Sequence, residues 1–181
     1  ALSKTLLFND CFMGLVDTSI EYDDKNKFKD AAAKLKKIAK NSSSYAYLFD
    51  CSAKLCDVLA TKVTLGKQTR ELYVKMKNGD ENTVIVCKKE LKKLIAKGYK
   101  PLIRQLETFY AAFKAQWYRE NKPFGFEVQD VRIGGLIHRV RHCASDLGDL
   151  IKGKISSIPE LEEYQLPADV TEYYPDRHCY G

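Results

Sequence analysis

The chain has 181 residues, of which 45% are apolar and 30% charged, and it carries a formal net charge of +6. That length buries a core without disulfide or metal staples and fits a single domain, and the composition is that of an ordinary globular protein slightly rich in charge. No run approaches the roughly 20 apolar residues that cross a bilayer, so no membrane partner is expected, and the apolar stretch at residues 1–8 is too short for a signal peptide.

Residues 1–25 show no sustained period and read as an irregular connector that lays apolar side chains on a neighbour. A lysine-rich helix is expected over 25–40, with Phe28, Ala31, Leu35 and Ile38 on one face. Asp23 and Asp24 suit the positive end of its dipole. The run Asn41-Ser42-Ser43-Ser44 ends it and offers a cap for the next helix. That second helix runs as one piece over 45–77, with Leu48, Leu55, Leu59, Leu65, Leu72 and Met76 as its stripe and Gly66 as its weak point.

Asn78-Gly79-Asp80 is a turn. A third helix starts near Glu81 or Thr83 and carries Leu91, Ile95, Leu102, Leu106, Phe109, Phe113 and Trp117. Gly98 and Pro101 predict a kink within it, because the apolar spacing stays in phase on both sides. Pro123 and Gly125 then interrupt the helix, with Asn121 as a left-handed stop. A fourth helix covers 128–152 with Leu136, Val140, Cys143, Leu147 and Leu150 inward. Gly134 and Gly135 predict close approach of another backbone, and Gly153 a terminus. One short helical turn is expected near Pro159, and residues 165–181 form an irregular tail. The expectation is all-α: an up-down bundle of four main helices over 26–164, with irregular terminal segments.

Six cysteines at positions 11, 51, 56, 87, 143 and 179 include no CxxC pair. They read as buried free thiols in a reducing, cytoplasmic setting. The lysines cluster at 25–40 and 88–100, without the arginine-aromatic interleaving that grips single strands. Solvated helix faces account for them, and nucleic acid is not an expected partner.

Chemistry is sparse. His138 and His142 have the spacing of two ligands on one helix face, but Arg139 and Arg141 between them disfavour a metal. Asp80-Glu81 lies at a helix start, where an acidic residue serves the dipole. No catalytic group, metal site or cofactor motif is identified. Arg132, Arg139 and His142 form a basic stripe opposite the apolar face of the fourth helix, either a solvated or salt-bridged face or a contact surface for an acidic patch on another domain or subunit. The densest cluster is the elbow between the third and fourth helices: Trp117, Lys122, Phe124, Phe126, Glu127, Gln129, Asp130 and Arg132. If extended, it projects Phe124 and Phe126 to one side. Two readings stay open for it. In one, the aromatics plug the end of the bundle while Glu127 and Asp130 cap the fourth helix and pair with Arg132. In the other, a surface loop presents the cluster to another domain or subunit.

Residues 109–137, centred on Trp117-Tyr118-Arg119-Glu120-Asn121-Lys122-Pro123-Phe124-Gly125-Phe126-Glu127-Val128-Gln129-Asp130, carry a resemblance. With Ile158-Pro159-Glu160-Leu161-Glu162-Glu163, they resemble the C-terminal helical domain of bacterial β-N-acetylhexosaminidases of glycoside hydrolase family 20. The resemblance is specific over about 105–163 and looser upstream. It implies a parent enzyme that removes terminal N-acetylhexosamine from glycans by substrate-assisted hydrolysis in a separate TIM barrel. It also implies a domain without catalytic residues that packs on the barrel and forms a homodimer, with the elbow at an interface or the active-site rim. Glycan would reach it only through the full enzyme. The alternative is a free-standing helical adaptor that binds a protein through the elbow and the basic stripe.

Overall fold

The computed structural model describes residues 2–165. Over these the chain is helical, with no strand among the described residues. The helices are α1 (Leu2–Phe8), α2 (Asp24–Asn41), α3 (Ala46–Lys62), α4 (Leu65–Lys77), α5 (Glu81–Leu94), α6 (Lys100–Glu120), α7 (Phe126–Ile151) and α8 (Pro159–Glu162). A 3-10 turn spans Asp17–Ser19 and a π turn spans Ile95–Tyr99. The all-α bundle follows from the apolar stripes. Leu59, Leu65, Leu91, Leu102, Leu106, Val140, Cys143 and Leu147 meet in one continuous core. α3 packs between α2 and α6, α4 packs on α5, and α6 turns back on α7.

Several boundaries differ from the sequence expectation, each for a local reason. The segment 1–25 is not wholly irregular: α1 buries Leu6 and Leu7, and Cys11, Phe12, Val16 and Ile20 follow them into the core. A seven-residue helix is too short to register as a period; tertiary packing holds it. The expected helix over 45–77 is two, divided at Val63 and Thr64. The apolar stripe continues across the break, which hides it. At Gly66 a Cβ would lie 2.5 Å from Asp17 Oδ2, so the glycine admits the N-terminal connector. Tyr45 rather than a serine precedes α3, with no side-chain cap.

The expected kink takes the form of the π turn, in which Lys100 N–H donates to Ile95 O, one residue beyond the α register. Pro101 has no N–H to continue the ladder, which makes the irregularity inexpensive there. Asp80 caps α5 by accepting from Thr83 N at 2.8 Å. Gly153, at φ +73°, ends α7 in the left-handed conformation, and Lys154 N–H reaches back to Asp149 O at 2.9 Å. Gly134 and Gly135 do not mark a close approach: nothing lies within 4 Å of where a Cβ would stand on either. The expected tail falls at residues 165–181, of which all but the first lie outside the described residues.

A polar knot pins the connector. Arg139 forks onto Asp10 through Nε (2.8 Å) and an Nη (3.0 Å) and also pairs with Glu160 at 2.8 Å. Arg70 donates to four carbonyls, those of Phe12, Glu160, Leu161 and Glu163. These carbonyls belong to the connector and the α8 segment, so one guanidinium clamps both to α4. Burial pushes the Asp10 carboxyl up, but Arg139 and the amides of Met13 and Phe12 outweigh it and hold the group at about 2. Asp17 has the opposite balance. Burial drives it up to about 6, against the lowering by the Asn9 hydrogen bond, Lys62 and Arg70.

Candidate functional site: the elbow between α6 and α7

The elbow is short because three local bonds set it. Trp117 Nε1 donates to Lys122 O at 3.0 Å, folding the chain back over the end of α6. Phe126 N–H donates to Pro123 O at 3.2 Å, closing the turn. Gly125 adopts φ +93°, which a side chain would resist, and its N–H donates to Glu127 Oε2 at 2.7 Å. Asn121, expected to be the left-handed residue, is extended at φ −127°. The sign reversal falls on Gly125 instead, where it costs least.

The two phenylalanines do not share a side. α7 begins at Phe126, so the chain is helical rather than extended there, and the rings part. Phe126 is buried and surrounded by the rings of Tyr110, Phe113, Trp117 and Tyr118, with centroids at 6.0, 6.0, 5.8 and 5.2 Å. Phe124 is 88% exposed. One phenylalanine plugs the bundle and the other is presented to solvent.

The charged residues also part company. Glu127 does cap α7, as anticipated, whereas Asp130 accepts from the Tyr110 hydroxyl and does not pair with Arg132. That hydrogen bond, with burial and the carboxylate charge, drives the Tyr110 phenol up to about 12. Arg132 and Lys122 are exposed and form no ion pair among the described residues. Gln129 is half-buried. Val128 and Val131 add 45% and 76% exposed apolar surface beyond Phe124. The exposed glycines Gly134 and Gly135 continue the α7 surface without side chains.

Of the two readings of the basic stripe, the salt-bridged one describes Arg139. Arg139 turns inward to Asp10 and Glu160, and lies over the Phe12 ring at 5.4 Å. His142 faces Asp146 at 3.5 Å. Among the described residues no three His, Cys, Asp or Glu side chains converge as a metal site. The sequence reading missed the Asp10–Arg139 pair because the partners are 129 residues apart. Asp10 next to a buried Cys11-Phe12 step was the one available sign.

These features define an all-α domain whose elbow buries Phe126 and exposes Phe124. Residues 1–179 match the family model for the Glycoside Hydrolase 20C C-terminal domain. The chain belongs to that family. No curated protein matches it.

Proposed function

We propose that the domain serves a β-N-acetylhexosaminidase that releases terminal N-acetylhexosamine in a separate TIM barrel. In this reading it docks on the barrel and pairs two copies of the enzyme through the elbow face. Family membership supports the parent activity. The observation that carries the docking role is the exposure of Phe124, Val128 and Val131 on an elbow held rigid by Phe126. Exposed apolar groups on a pre-organised turn lose little entropy on binding. Among the described residues the thiols of Cys11, Cys51, Cys56, Cys87 and Cys143 are free, which favours a reducing, cytoplasmic compartment.

The test is a Phe124→Ser/Val131→Ser variant of the full-length enzyme, since both positions are too exposed for the change to unfold the bundle. Light scattering should show loss of the dimer, or kinetics on an aryl N-acetylglucosaminide should show a raised KM. Unchanged mass together with unchanged kinetics would overturn the role. Hydrolysis by the purified 181-residue chain itself would overturn the placing of chemistry in a separate barrel.

A further inference from the structure

Away from the elbow, a groove of about 730 Å³ opens between α2, α4 and α5. Its base, part of it from α3, mixes apolar and neutral polar groups: Ala60, Thr64 and Leu65 are buried there, and Thr61, Gln68, Leu72 and Leu94 are half-buried along it. Its rim is lysine. Lys25 and Lys29 stand one helical turn apart on α2, Lys93 and Lys97 one turn apart on the α5 side, and Lys75 near the end of α4. The lining also holds two glutamates, and both have partners. Glu90 pairs with Lys93 at 2.6 Å, and Glu71 accepts from the Tyr22 hydroxyl. Lys25, Lys29, Lys75 and Lys97 have no acidic partner among the described residues.

The π turn contributes Lys97 and Gly98 to this lining. Such turns recur at functional positions in helices. Gly98 is held there by Leu65, whose Cδ1 would lie 2.7 Å from a Cβ. Here α4 spans Leu65 to Lys75 along the groove, about 15 Å at 1.5 Å per residue, which is the length of a few helical turns.

We propose that this groove binds an acidic amphipathic helix from another polypeptide segment. Its leucine-like face would cover Leu72 and Leu94, and its carboxylates would meet Lys25 and Lys29 on one rim and Lys97, beside the Glu90–Lys93 pair, on the other. Apolar contact supplies affinity in such grooves and charge sets register. A small anion would use one lysine cluster and leave the trough uncovered, so the geometry favours the helix. The groove shares no residue with the elbow, and its test is independent of the docking role assigned there.

The probe is a fluorescein-labelled peptide of alternating leucine and glutamate pairs, read by anisotropy at low salt against the whole chain. Its glutamine counterpart serves as the charge control. Binding should weaken at least about tenfold in Lys25→Glu/Lys29→Glu and in Lys93→Glu/Lys97→Glu. It should persist in Lys34→Glu/Lys37→Glu, which changes the same charge on α2 outside the groove. All these lysines are on the surface, so circular dichroism should match the parent. Absence of binding, equal loss in the Lys34/Lys37 variant, or equal affinity for the glutamine peptide would each overturn the proposal. So would tighter, groove-dependent binding of single-stranded RNA or of phosphatidylserine vesicles, which would assign the groove to another class of partner.

Discussion

Phe126 and Phe124 are two residues apart, and the fold assigns them opposite roles that one stability experiment separates. Phe126 is 1% exposed and touches four aromatic rings, with Lys114 Nζ 5.9 Å from its centroid. Truncating a buried phenylalanine to alanine costs about 3–5 kcal/mol from lost transfer energy and the cavity left behind. Each ring pair adds about 0.5–1.5 kcal/mol beyond area burial. The four pairs share one ring and do not add independently. Phe126→Ala should therefore fall near the top of the range, about 4–5 kcal/mol, a large share of the roughly 5–15 kcal/mol that holds a domain. Phe124→Ala, at an 88% exposed position, should stay within about 0.5 kcal/mol. Urea unfolding followed by tryptophan fluorescence is the assay, because Trp117 packs edge-on against Phe126. A Phe126→Ala cost below about 1 kcal/mol, or a comparable cost at Phe124, would refute the assignment of plug and presented ring.

Two further perturbations test the connector and the glycines. Asp17 has a folded pKa of about 6 against an ordinary 3.8, so the folded state holds its proton more tightly than the unfolded chain does. Its contribution is fully present below about pH 4 and is lost as pH rises through 6, a change of about 2–3 kcal/mol for a group this buried. The stability gain of Asp17→Asn over the parent should therefore grow by that amount between pH 4 and pH 7 in urea titrations; a gain independent of pH would contradict the burial argument. The glycines should divide by surroundings. Gly66→Ala forces a Cβ to 2.5 Å from Asp17 Oδ2 and should lower stability by about 1–3 kcal/mol. Gly134→Ala and Gly135→Ala meet nothing and should each raise it by up to about 1 kcal/mol. Thermal melts of the three variants would show the wrong order if the connector did not press on Gly66.

The long helices were legible because their apolar residues recur at three and four over many turns. The inward residues Leu102, Leu106 and Phe109 of α6 and the set from Leu136 to Leu150 on α7 are buried as expected, although α5 and α6 read as one kinked helix. What escaped was structure held by remote partners. α1 has too few residues to show a period and exists through its packing on α3. The break between α3 and α4 keeps the stripe in phase, and Asp17, 49 residues from Gly66, packs against the start of α4. Arg139 looked like part of a surface stripe because its neighbours on α7 are exposed; only Asp10 and Glu160, brought from the two ends of the chain, make it an internal clamp.

At the elbow the residues were legible and their directions were not. The spacing of Phe124 and Phe126 puts them on one side only if the backbone is extended, and Gly125 turns left-handed there while α7 begins at Phe126 rather than at 128. The consequence bears on function. Had both rings turned inward, the elbow would be a stopper and nothing more. Had both turned outward, it would lack a rigid base and would lose entropy on binding. With Phe126 fixed by four rings, the turn is set before any partner arrives, and Phe124, Val128 and Val131 are offered at a defined angle. In the docking role proposed above, a pre-set apolar edge of this kind would suit a second surface of fixed shape.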